Sequence, residues 1–156
     1  MAHSISAFVG KRPALAALSA ALGQAPFYRL GHAECLVLPV SDDAFDALVA
    51  AQGPTALAAH EFWRLTDGLA ELARACSEHG AVAYIETDYF GGAGVQGAAA
   101  WIGGRVVLSP TADEKGPINV ALRAIGLAPS GTRDEFDTLG LGEVRRLDAF
   151  EEMMPA

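Results

Sequence analysis

The chain has 156 residues, 51% of them apolar and 19% charged, with a net charge of −8. Such a composition suits one domain with one sizeable core and excludes a disordered or low-complexity chain. The acidity argues against non-specific nucleic-acid binding, no apolar run approaches the roughly 18 residues of a membrane span, and two cysteines outside any CxxC or His-rich setting exclude a zinc finger or disulfide framework.

Lys11 and Arg12 stand ahead of an apolar stretch, Ala14 to Leu22, in the manner of a signal peptide. A folded segment explains these residues better. Ser4 to Val9 reads as a strand with apolar side chains on both faces, and Leu15, Leu18 and Leu22 follow at helical spacing behind Pro13, which suits a first helical turn. The expectation is therefore strand 4–9, helix 13–22 and a cytoplasmic protein. Phe27–Leu30 and Glu34–Val40 around Gly31-His32 read as a hairpin, with Cys35-Leu36-Val37-Leu38 as a run covered on both faces. Ser41 is a good N-cap for a helix opening on Asp42-Asp43 and closing at Gly53-Pro54.

Apolar residues from Leu57 to Cys76 recur at spacings of three to five, which predicts a helix over 55–79, weakened at Gly68 and stopped by Gly80. Ala81 to Asp88 reads as a strand with Val82, Tyr84, Glu86 and Asp88 on one face. Gly91-Gly92-Ala93-Gly94 interrupts it, Gln96 to Ile102 resumes, and Gly103-Gly104 turns the chain into a further strand, 105–108, that Pro110 ends. Gly116-Pro117 opens a short helix with Ile118, Ala121, Leu122 and Ile125 inward and Gly126 as its stop. The remainder, 132–154, predicts a short helical turn, a bend and a frayed acidic end. Two-residue turns force antiparallel pairing, so the predicted fold is a single α+β domain over 1–156, a mainly antiparallel sheet packed with several helices.

The glycine segment Gly91, Gly92, Gly94 with Gln96 lacks a following lysine and a following helix. Glu86 and Asp88 beside it would repel phosphate. A turn or bulge is the better reading than a phosphate cradle. Glu86 and Asp88 share a strand face and read as solvated, or, with Tyr84 and Tyr89 beside them, as an exposed patch for a protein partner. Asp134-Glu135-Phe136-Asp137 places three carboxylates round one aromatic. It suits a helix N-terminus anchored by Phe136 and equally a clamp for a basic partner. Cys76, on the apolar helix face, reads as a buried inert thiol. No catalytic residue, metal ligand set or cofactor motif is read from the chain.

The run Ala83-Tyr84-Ile85-Glu86-Thr87-Asp88-Tyr89-Phe90-Gly91-Gly92, continued by Gly94 and Gln96, resembles a segment of a group of small bacterial proteins. So do Gly116-Pro117-Ile118-Asn119, Ala121-Leu122-Arg123, Asp134-Glu135-Phe136-Asp137 and Leu139-Gly140-Leu141-Gly142. The blocks cover the last half of the chain. What the resemblance implies is a cytosolic accessory protein of the kind that serves as the immunity protein of a secreted antibacterial toxin. It transfers no catalytic residue.

The expected function is thus a binding protein that occludes the basic active-site cleft of a toxin. Its expected contact residues are Glu86, Asp88, Tyr89, Gly91, Gly92, Gly94 and Gln96, with Asp134, Glu135 and Asp137. The alternative is a small enzyme or ligand-binding domain at the glycine loop, with Glu86 or Asp88 as general base. A homodimer through a sheet edge near 95–108 is compatible with either.

Overall fold

A computed structural model describes residues 2–31 and 34–156. Its frame is a five-stranded antiparallel sheet in the order β2-β1-β3-β4-β5, formed by His3–Gly10 (β1), Leu36–Pro39 (β2), Val82–Phe90 (β3), Ala93–Ile102 (β4) and Arg105–Asp113 (β5). The α+β class and the antiparallel sheet are as the sequence predicts.

Helices cover both faces, which explains the strands that are apolar on either side. On the first face lie Arg12–Ala21 (α1), Asp42–Gln52 (α2) and Asp67–Cys76 (α3). Their Leu15, Leu18, Leu48 and Leu69 bury against Phe8, Val82, Tyr84 and Trp101. On the second lie Pro117–Ala124 (α4), Glu135–Leu139 (α5) and 3₁₀ turns at Leu141–Glu143 and Leu147–Glu152. There Ile118, Leu122, Leu139 and Phe150 bury against Ile5, Val9, Ala83 and Ile85. Lys11, Arg12 and the apolar stretch after them thus belong to a packed β1–α1 unit. No helix among the described residues is long and apolar enough to cross a membrane.

Four local expectations need correction. The hairpin after Pro26 shrinks to one bridge, in which Tyr28 and Val37 exchange both backbone hydrogen bonds at 2.8 Å; its turn residue His32 lies outside the described residues. The helix predicted over 55–79 begins only at Asp67, because Thr66 caps it by accepting the Leu69 N–H at 3.2 Å. Residues 55–66 form a loop closed by a Leu57–Thr66 bridge. Pro110 does not end the sheet: β5 runs through it to Asp113, with bulges in its pairing to β4. An edge strand tolerates a residue without an N–H, and of the strands in the 95–108 region expected to offer a sheet edge only β5 lies at one, since β4 is paired on both sides. The acidic C-terminus is not frayed at Phe150, which is 2% exposed against Tyr28.

Candidate functional site

The predicted site gathers round the far end of the β3–β4 hairpin. Gly91 and Gly92 form its two-residue turn, with φ of 63° and 82°. Two successive positive φ angles are what a primed hairpin turn requires, and glycine reaches them without strain. A Cβ at either would meet nothing within 4 Å, so backbone conformation accounts for both. Gly94 differs: a Cβ there would lie 2.1 Å from the Asp88 carbonyl oxygen.

Glu86 is the largest departure from expectation. It was expected on a solvated face beside Asp88, yet it is 3% exposed. One carboxylate oxygen accepts the Arg64 N–H at 2.8 Å, the Leu65 N–H at 2.9 Å and the Tyr84 hydroxyl at 2.7 Å; the other accepts the Trp63 N–H at 3.0 Å. Three successive backbone donors converge on it, as in an anion nest. These N–H groups therefore do not point at carbonyls four residues back, which is why the predicted helix starts late. With both oxygens engaged, Glu86 is no candidate for a general base or for direct partner contact. Tyr84, also expected at the surface, is fully buried. Burial, and then the neighbouring Glu86 carboxylate, hold its ionisation well above the usual phenol range.

The clamp fixes an exposed feature. Trp63 is 39% exposed. The Arg64 guanidinium lies 5.3 Å from the Trp63 ring centre and 5.1 Å from that of Phe45, and pairs with Asp42 at 2.8 Å. Asp88 and Phe90 follow Glu86 on the same face of β3, and both are exposed, Phe90 by 80%. Trp63, Asp88 and Phe90 thus present two aromatics and a carboxylate on one side of the hairpin end.

The other side carries Tyr89 and Gln96, which border a small cleft of about 270 Å³ with His3, Thr87, Asn119 and Asp134. The Tyr89 hydroxyl donates to the Glu114 carbonyl and accepts from the Gln96 amide at 3.2 Å. The Gln96 side-chain oxygen accepts the Ile118 N–H at 2.8 Å, at the first turn of α4. Asn119 accepts the Phe136 N–H at 2.9 Å and donates to Asp134 at 3.0 Å, while Asp134 caps α5 by accepting the Asp137 N–H at 2.9 Å. The hairpin and the acidic segment are thus joined through this cleft. Glu135, expected as a contact residue, is 2% exposed and paired to Arg123 at 2.9 Å. Asp137 is exposed.

His3 closes the cleft floor. Its Nε2 donates to the Leu141 carbonyl at 3.0 Å, and its Nδ1 stands 2.7 Å from the Thr87 hydroxyl, whose oxygen also accepts the Ile5 N–H at 3.0 Å. Burial lowers its pKa below the usual 6.5, with nearby Arg145 adding to the effect and the Leu141 hydrogen bond opposing it. The unfolded chain then takes up the proton before the folded one. Stability is full above pH 6.5 and declines as pH falls below it toward the lowered value. Thermal unfolding from pH 8 to 5 should show this decline, and His3→Gln should flatten it relative to the parent chain.

The structure therefore keeps Asp88, Tyr89, Gly91 and Gly92 at the hairpin end with Asp134 at the adjoining cleft, places Asp137 on a separate cavity lined by Lys11, Cys35 and Glu143, and withdraws Glu86 and Glu135 into the interior. Phe90 and Trp63 stand outside the expected contact set, Trp63 reading from the sequence only as a core or interface residue. An aromatic directly before Gly-Gly, at the end of a strand, was the available signal for Phe90; nothing local signalled Trp63. Burial raises the pKa of both Cys35 and Cys76, as befits unreactive thiols. Among the described residues, no group of three or more His, Cys, Asp or Glu side chains assembles as a cation site.

No family model, curated protein or solved structure matches the chain.

Proposed function

We propose that this chain is an immunity protein: a binding protein that neutralises a bacterial toxin by covering its basic active-site cleft with the end of the β3–β4 hairpin. The observation that carries the reading is Phe90. An aromatic side chain left 80% exposed at a hairpin tip, with Asp88 and Trp63 on the same face, has the make-up of an interface anchor. Its mounting also supports the reading. The turn is set by Gly91-Gly92, Tyr89 is tied to Glu114, and the Trp63 loop is held by Glu86, so little order would be lost on docking. The net charge of −8 would speed encounter with a basic partner and select against acidic ones.

The test pairs the purified chain with toxins recovered from its native host on the tagged protein, measuring affinity by calorimetry and toxin activity directly. Phe90→Ala should weaken binding by about thirtyfold or more, the loss of a hot-spot residue. Asp88→Lys should mainly slow association and add to that loss. Neither should shift the unfolding temperature appreciably, because both side chains are exposed. Full affinity and full inhibition in the Phe90→Ala, Asp88→Lys double variant would overturn the proposal.

A further inference from the structure

We draw no further inference here: the strongest candidate, the apolar surface patch of Ile102, Val106 and Val107 at the outer edge of β5, lies on a strand interrupted by bulges and Pro110, and nothing in the structure shows what covers it.

Discussion

Glu86→Gln should cost this protein about 3 kcal/mol of stability, read as a lower urea midpoint with an unchanged slope. The carboxylate receives four donors, three from the backbone of Trp63, Arg64 and Leu65 and one from Tyr84. An amide has one acceptor oxygen, and its NH₂ group would face an N–H of the loop. The oxygen keeps most by staying where it serves Arg64, Leu65 and Tyr84, so the Trp63 N–H is left without an acceptor and faces the NH₂ group. Glu86→Ala removes every acceptor and adds a cavity, so it should lose more. Asp88→Asn, two residues on and exposed, is the control and should stay within about 0.5 kcal/mol of the parent. A loss below about 1 kcal/mol for Glu86→Gln would mean that water reaches the freed donor. The same variant separates this account from a general-base role, which would cost activity and leave the fold intact.

Gly97→Ala should destabilise by about 2–3 kcal/mol, the range of overpacking in a tight core. Gly97 pairs with Glu86 across β3 and β4, and the Phe62 ring lies over it. A Cβ there would stand 2.8 Å from the ring's Cζ and 2.9 Å from Cε1. Phe62 has little freedom to yield: it is 2% exposed, its ring stacks on Tyr84 at 6.3 Å, and the next residue donates its N–H to Glu86. Smaller bulk at 62 should relieve the clash, so Phe62→Leu should cost less in the Gly97→Ala background than in the parent. A double-mutant cycle measures this, with coupling of about 1 kcal/mol or more expected. Strict additivity would contradict the contact.

The strands and their antiparallel order were legible because they follow from local rules. Gly91-Gly92 and Gly103-Gly104 force two tight turns, and the apolar runs in β1 and β2 call for cover on both sides. Ser41, Gly116-Pro117 and Asp134 marked helix starts that the structure keeps. The late start of α3 was not legible, since Glu86, far along the chain, takes three N–H groups that a helix would have used. Alternation placed Glu86 and Asp88 correctly on one face, but it could not tell that a loop covers the first and stops short of the second. Glu135 escaped for a like reason: Arg123 of α4 draws it inward, although its neighbours Asp134 and Asp137 stay outside. Pro110 misled because its effect depends on whether β5 is an edge, a property of sheet order.

The grip of Glu86 on main-chain N–H groups has an evolutionary consequence. A carboxylate that reads backbone donors is blind to the side chains those residues carry. Proline is forbidden at 63, 64 and 65, because each N–H is spoken for. Leu65 is further constrained by its buried side chain, but position 63 and the exposed Glu61 before it can vary while the loop keeps its course. The fold thus separates the part that holds the surface in place from the part a partner would feel. A lineage under pressure to follow a changing partner could rewrite Trp63 in single steps without passing through an unfolded intermediate.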